Sequence, residues 1–314
     1  MQNTRLYTTA RDTRELVPVG SKTTMRIGGQ ARYFAELLTR DDVEQAVRFA
    51  SEKKIPLILL GGGSNTIFAD GVIEALVVRI KAEQMTVTGN RVTVQGGKIL
   101  ASMINELGEK GLDLSALTGI PGSVGGAIFG NAGQGPKGIW IEKFVIDVTI
   151  FLDGEWKTFT KEECGFAYRE SIFKNWKGAP PPPSPLPPGG GTFAPIIWEA
   201  TLEIPSGDPA AIHDNVEALL KKRFETQPHL KTAGSCFKAV GGTPAWQLIE
   251  KAGLRGYKVG GVEISTKHAN FLTKSGDTGS FSDAKAVVEK VRETIPEGLE
   301  VEMRFIQEDG TTAF

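Results

Sequence analysis

The stretch LTGIPGSVGGAIFGNAGQG, residues 117–135, places seven glycines in nineteen positions and contains no lysine or arginine. Closely spaced glycines let a chain turn at positive φ and bring several backbone N–H groups toward one anion. A diphosphate held this way needs little basic charge in the loop itself. The small neighbours Ser123, Ala127 and Ala132 also let a flat ring lie against the backbone. A second such segment, GGGSN at 61–65, follows the strand-like run IPLILL. It fails the dinucleotide-fold fingerprint, because the position of the third glycine after Gly61 and Gly63 is Thr66. No G-x-x-x-x-G-K-[ST] occurs, which excludes the phosphate loop of nucleotide triphosphatases. Two glycine segments on adjacent domains suit a clamp around a long dinucleotide such as FAD; a glycine that merely makes a turn is the plainer alternative for either one alone.

The rest of the chain bounds the answer. Its 314 residues are enough for two or three domains, and 36 Lys plus Arg against 37 Asp plus Glu leave no basic footprint for nucleic acid. No apolar run approaches the roughly 20 residues of a membrane helix, and the opening MQNTRLYTTARDTRE lacks the apolar core of a signal peptide. Cys164, Cys236, His213, His229 and His268 are scattered, so neither a disulfide framework nor a metal site is expected. A cytoplasmic α/β or α+β enzyme is the resulting expectation, with no nucleic-acid or membrane partner.

Element patterns divide the chain into three regions. In 1–82, DDVEQAVRFASEKK predicts a helix with Val43, Ala46, Val47 and Ala50 on one face and Asp41 as its cap, followed by strands at IPLILL and ALVVRI. In 83–206, hairpins are predicted around Gly89-Asn90 and Asp153-Gly154, with a helix over ILASMINELGEKG stopped at Gly111. In 207–314, helices are predicted over DPAAIHDNVEALLKKRF, over AWQLIEKAGL with a stop at Gly253, and over SDAKAVVEKVRETI, where Val287, Val288, Val291 and Ile295 form one face. The proline run APPPPSPLPPGGG, 179–191, reads as a solvated polyproline II loop with a glycine hinge.

Several short motifs occur in the order seen in UDP-N-acetylenolpyruvoylglucosamine reductases, the MurB family, which this chain resembles. They are TTMRIGG (23–29), LLGGGSN (59–65), GIPGSVGGAIFGNAG (119–133), FAYRESIFK (166–174), AGSCFK (233–238), KVGGVEISTKHANF (258–271) and LEVEMRFI (299–306). The spacing is similar to the shorter, second type of the family. The chain differs from the family pattern at Ala239-Val240, at Gln134-Gly135-Pro136 and in the proline run, which is expected to be dispensable. The resemblance implies an α+β fold, with the two-domain FAD clamp of the vanillyl-alcohol-oxidase (PCMH) type over 1–82 and 83–206. A third α+β substrate domain would occupy 207–314. It implies an FAD-dependent oxidoreductase that uses NADPH in a ping-pong cycle to reduce the enolpyruvyl ether of UDP-N-acetylglucosamine to UDP-N-acetylmuramate, a peptidoglycan precursor. The protein would act as a monomer on this small sugar nucleotide. An FAD-dependent alcohol or hydroxy-acid oxidase or dehydrogenase on the same fold is the alternative.

The resemblance also assigns residues. FAD would be held by Gly61, Gly62, Gly63, Ser64 and Asn65 in the first segment. In the second it would meet Gly119, Ile120, Pro121, Gly122, Ser123, Gly125, Gly126, Ala127, Asn131 and Gly133. Arg169 would hold the developing carboxylate dianion with two parallel hydrogen bonds. Ser235 would donate the proton; Cys236 is the stronger acid, but adjacent residues of an extended chain face opposite ways. Glu302 would assist as a shielded, protonated carboxyl group, and Glu300 shares its strand face, so spacing alone does not separate the two. Tyr168 and Lys238 are candidates for contact with sugar nucleotide or NADPH. Lys258, Lys267 and His268 lie in a later motif and could face flavin or diphosphate.

Overall fold

Local chemistry sets most element ends. The computed structural model describes residues 13–134, 138–174, 176 and 194–314, so the proline run 179–191 and residues 135–136 lie outside the described residues. In chain order, β1 (Arg14–Pro18), β2 (Gln30–Leu37), α1 (Arg40–Lys53), β3 (Leu57–Leu59), β4 (Thr66–Phe68) and β5 (Val72–Ile80) come first. Next are β6 (Met85–Thr88), β7 (Arg91–Gln95), α2 (Leu100–Gly108), α3 (Val124–Phe129), β8 (Val145–Leu152), β9 (Glu155–Thr160) and β10 (Ile196–Glu203). The remainder is α4 (Pro209–Thr226), β11 (Thr232–Ser235), α5 (Ala245–Lys251), β12 (Lys258–Val259), β13 (Val262–Ile264), β14 (Phe271–Lys274), α6 (Phe281–Thr294), β15 (Arg304–Ile306) and β16 (Thr312–Ala313).

The cap of α1 is Thr39 rather than Asp41. Thr39 accepts from the Asp42 N–H while the Asp42 carboxylate returns to the Thr39 N–H, a reciprocal box that Asp41 is one residue too late to close. Asp41 instead accepts from Gln45 one turn on, at 2.5 Å. Helix α2 ends at Gly108, short of Gly111, which takes φ +69° three residues later. Both hairpins turn where their residues demand. Gly89 adopts φ +62° between Thr88 and Arg91, and Asp153 and Gly154 both take positive φ between Leu152 and Glu155. Ser280 and Asp283 form a second capping box on α6, whose Val287, Val288 and Val291 are fully buried.

Four sheets result. The first, β1-β2-β5-β3, is parallel across β2, β5 and β3, with β1 antiparallel at its edge. The second, β6-β7-β10-β8-β9, and the third, β11-β14-β13-β12, are antiparallel throughout. The fourth, β16-β15-β4, joins the first region to the C-terminal segment, because β15 pairs in parallel with β4 at Arg304↔Thr66. One apolar core is therefore shared: Phe34, Ile67 and Phe68 cluster with Cys236, Val287 and Phe305. Helix α4 likewise packs on the middle region: Val216 joins that region's core, Ile212 covers Gly108 of α2, and Asn215 Nδ2 donates to Ser115 Oγ at 2.7 Å. These two crossings bring elements from all three regions to one place.

Candidate active site

That place is a pocket of about 560 Å³. Its glycine walls touch. A Cβ built on Gly62 would lie 2.5 Å from Gly122 Cα, and Ser64 Oγ donates to Pro121 O at 3.2 Å. Arg79 pins the first loop from behind, Nε donating to Gly61 O at 3.1 Å and Nη2 to Lys22 O at 2.8 Å. Asn65 stitches the same loop to the C-terminal segment: its O accepts from Arg304 N at 3.0 Å and its Nδ2 donates to Glu302 O at 3.3 Å.

Arg169, Ser235 and Glu302 all line this pocket, although they come from three separate segments. Arg169 sits at the tip of a turn closed by paired Ala167–Glu170 backbone hydrogen bonds and adopts φ +59°, a conformation most non-glycine residues avoid. Its Nε lies 3.4 Å from Glu302 Oε1, with the two side chains 15% and 14% exposed. Burial pushes the Glu302 carboxyl above the usual range; Arg169, Lys174 and Lys238 pull against that shift, and Glu170 adds to it. Glu302 N donates to Cys236 O at 2.7 Å, which ties this segment to the residue following Ser235. Ser235 closes β11 opposite Phe271 and faces the pocket, whereas Cys236 is buried in the shared core and burial pushes its thiol up. Glu300 and Glu302 are also separated, since only Glu302 lines the pocket.

The two glycine segments contribute Gly61, Gly62, Gly63, Ser64, Asn65, Gly119, Ile120, Pro121, Gly122, Ser123, Gly125, Gly126, Ala127 and Gly133 to the lining. Asn131 does not join them. It is fully buried, with Nδ2 donating to Glu142 Oε2 and to Ala167 O, both at 2.8 Å, so its amide braces the Arg169 turn instead of facing a ligand. Tyr168 is also absent from the lining; its ring packs on Trp140 and lies under the Arg169 guanidinium at 5.9 Å. Lys238 turns away as well, its ammonium taken by Glu170 and Glu300. Lys258, Lys267 and His268 lie outside the lining: Lys267 bonds to Phe224 O, and His268 is wedged against Trp246 and Phe271.

The pocket's positive charge was not read from the sequence. Arg223 at the end of α4, Arg304 in β15 and Lys174 join Arg169 in the lining, where Glu302 is the sole Asp or Glu among the described residues. Burial lowers the pKa of Arg223, reinforced by Arg169, and also that of Arg304. Lys174 and Arg304 lie inside motifs already quoted. Arg223 has no local signal, because its place depends on α4 docking against the middle region.

Residues 31–159 match the model of the FAD binding domain family. The pocket fits such a cofactor on two observations: a floor where glycines leave no side chain in the way, and Asn65 Oδ1, Thr232 Oγ1 and Arg169 Nε, lining atoms that are buried without a hydrogen-bond partner among the described residues. Fold and site thus define an FAD-dependent oxidoreductase. Residues 227–305 match the C-terminal domain of UDP-N-acetylenolpyruvoylglucosamine reductase. A reductase of that name from Lactobacillus acidophilus is 33% identical over 296 residues, covering 93% of each chain. The second such reductase of Bacillus cereus is 34% identical over 296 residues, covering 91% of this chain and 90% of its own. The crystal structure of the Thermus caldophilus enzyme aligns with a TM-score of 0.76 at 30% identity, over 94% of this chain and 99% of that one. The chain belongs to the UDP-N-acetylenolpyruvoylglucosamine reductase family. Among the described residues no helix is long and apolar enough to cross a membrane.

Proposed function

We propose that the protein reduces the enolpyruvyl ether of UDP-N-acetylglucosamine to UDP-N-acetylmuramate for peptidoglycan synthesis, drawing electrons from NADPH in a ping-pong cycle. The observation that carries this reading is the convergence of Arg169, Ser235 and Glu302 on one pocket of a chain in this family. The two glycine segments would hold FAD by their backbone, with Arg223 and Arg304 supplying the charge those segments lack. When bound, FAD would supply the hydride chemistry that links NADPH to the terminal vinyl carbon of the substrate. Regions 1–82 and 83–206 form the cofactor clamp in this reading, and 207–314 holds the sugar nucleotide, with α4 and β15 crossing those boundaries. The protein would work as a cytoplasmic monomer.

The protein's own groups answer the charge that the substrate develops. As the vinyl carbon gains its hydride, negative charge builds on the ether carbon and spreads into the adjacent carboxylate. Arg169 offers that carboxylate two parallel N–H donors. Glu302, with its pKa raised by burial, retains its proton more readily than an exposed glutamate and can donate it in a hydrogen bond to the same oxygens. Ser235 then delivers a proton to the ether carbon. A hydroxyl is a weak acid, so this step depends on the basicity of that carbon and on neighbouring donors.

The test is anaerobic. FAD in the purified protein is reduced with NADPH, excess NADPH is removed, the enolpyruvyl sugar nucleotide is added, and absorbance near the flavin band is followed. Rapid recovery of the oxidised spectrum with UDP-N-acetylmuramate formed is expected. Flavin that ignores this substrate but reoxidises in air would refute the reading and favour an oxidase.

A further inference from the structure

The three side chains assigned to the substrate stand on different segments: the turn after β9, the end of β11 and the segment before β15. Outside the pocket, one ionic cluster has a member beside each of them. Glu170 follows Arg169, Lys238 lies three residues after Ser235, and Glu300 lies two before Glu302. Lys238 Nζ donates to a Glu170 carboxylate oxygen in a close contact and lies 2.7 Å from Glu300 Oε1. The Lys238 backbone N–H donates to Glu300 O at 3.0 Å. Lys174 Nζ joins from the other side, 3.4 Å from Glu170 Oε1 and donating to Arg169 O at 3.1 Å. The Lys238 side chain is 10% exposed while Glu300 is 66% exposed, so the contact with Glu170 is the shielded half.

Arg169 needs such support. Its left-handed backbone costs on the order of 1 kcal/mol and persists only where the surroundings over-determine it. Its Nε is buried without a hydrogen bond, facing Glu302 across 3.4 Å. A small movement of the turn would therefore open the Arg169–Glu302 gap. We propose that the Lys238–Glu170–Glu300 cluster is a positioning device, latching the Arg169 turn onto the segments that carry Ser235 and Glu302. This inference rests on the reading of the pocket given above. Burial alone would lower the Lys238 pKa and raise that of Glu170, but their pairing outweighs it in both, so the latch stays ionised. Lys238 is thereby a positioning residue rather than a substrate contact.

Two measurements on the full-length, FAD-loaded protein test it. In single-turnover kinetics, Lys238→Met is expected to slow reoxidation by the enolpyruvyl sugar nucleotide about 10- to 100-fold, leaving reduction by NADPH and the substrate KM within about 3-fold. Lys238→Arg should recover most of the loss. In an Arg169→Lys background, Lys238→Met should add less than about 3-fold, because both changes remove one interaction. Equal multiplicative losses in both backgrounds would overturn the latch. The second measurement follows the Glu302 carboxyl by ¹³C NMR during pH titration, assigned with Glu302→Gln, in wild type and Glu170→Gln. Removing the Glu170 charge through space alone would lower the Glu302 midpoint, whereas releasing Arg169 from Glu302 raises it. The latch predicts a rise, and a fall or no change overturns it. This titration needs no substrate and does not depend on Lys238→Met folding. Failure of wild type to reduce the sugar nucleotide would sink the proposed function, while the titration would still decide the latch.

Discussion

The glycines of the pocket divide into those the protein's own packing requires and those it does not, and one pair of substitutions separates them. A Cβ on Gly62 would meet Gly122 Cα at 2.5 Å, Gly122 C at 3.1 Å and Ser123 N at 3.3 Å, all backbone atoms that cannot swing aside. Gly62→Ala must push the two glycine segments apart, an overpacking cost of about 1–3 kcal/mol or more. Gly126 lies inside α3, and the nearest atom to its added Cβ is Ser123 Oγ at 3.5 Å, an ordinary contact. Replacing a helical glycine by alanine gains up to about 1 kcal/mol in the absence of other effects. Nothing among the described residues therefore asks for glycine at 126, yet the residue lines the pocket.

The expectation is a split outcome. Deflavinated Gly126→Ala should melt at or up to about 1.5 °C above wild type, because an unfolding entropy of about 2.1 cal/mol/K per residue makes 1 kcal/mol a small shift in a long chain. Its FAD affinity, measured by quenching of flavin fluorescence on titration, should fall roughly 5- to 150-fold if a methyl costs about 1–3 kcal/mol against the bound cofactor. Gly62→Ala should lose on both measures. Gly126→Ala binding FAD as tightly as wild type would refute the claim that the cofactor lies against α3. An unchanged melting temperature for Gly62→Ala would refute the claim that the loops are in contact.

Ser235→Ala should leave reduction by NADPH intact and cripple reoxidation by the sugar nucleotide; equal loss in both half-reactions would make Ser235 structural. Arg169→Lys retains charge without the planar fork, and a fall of more than about 10-fold in the second half-reaction is expected, with near-normal turnover removing Arg169 from the mechanism. Asn131→Ala leaves the Ala167 carbonyl and Glu142 without their buried donor, so a stability loss of about 1–3 kcal/mol and a slower second half-reaction are expected from denaturant melts and stopped flow. Glu302 has a folded pKa above its unfolded one, so the stability tied to its protonation is present below the unfolded pKa and lost as pH rises through the folded value. Glu302→Gln should thus raise the melting temperature relative to wild type more at pH 8 than at pH 4, and a difference of opposite sign would show Arg169 outweighing burial.

What was legible in the sequence is what neighbouring residues decide among themselves. The Asp153-Gly154 turn and the αL stop at Gly253 are local demands of backbone conformation, and the valine face of α6 is a local period. The opposed fates of Ser235 and Cys236 follow from the alternation of an extended chain. What was not legible depends on partners far along the chain. No signal near Thr66 announces that β4 will pair with β15, and none near Lys238 announces a carboxylate at Glu170. Asn131 shows the limit most clearly. Its motif sits among pocket glycines, yet its amide satisfies a buried carbonyl at Ala167, and only packing distinguishes the two uses.

The same distinction explains why a glycine-rich segment without a single basic residue can serve an anionic ligand. Arg169, Lys174, Arg223 and Arg304 reach the pocket from the middle region, from α4 and from β15, and among the described residues Glu302 is the only Asp or Glu in the lining to meet them. Each is one ordinary member among 36 lysines and arginines until the crossings of α4 and β15 gather them. Burial lowers the pKa of both Arg223 and Arg304, and at Arg223 the neighbouring charge of Arg169 adds to it, so holding these cations in the pocket without a counter-charge is unfavourable. An arrangement of this kind is most favourable when anions enter to complete it: a diphosphate on the glycine backbone and a carboxylate before Arg169. In the proposed reading the neutral glycine segments and the basic pocket are then one design, in which the backbone would fit the shape of the ligand and the distant arginines would meet its charge.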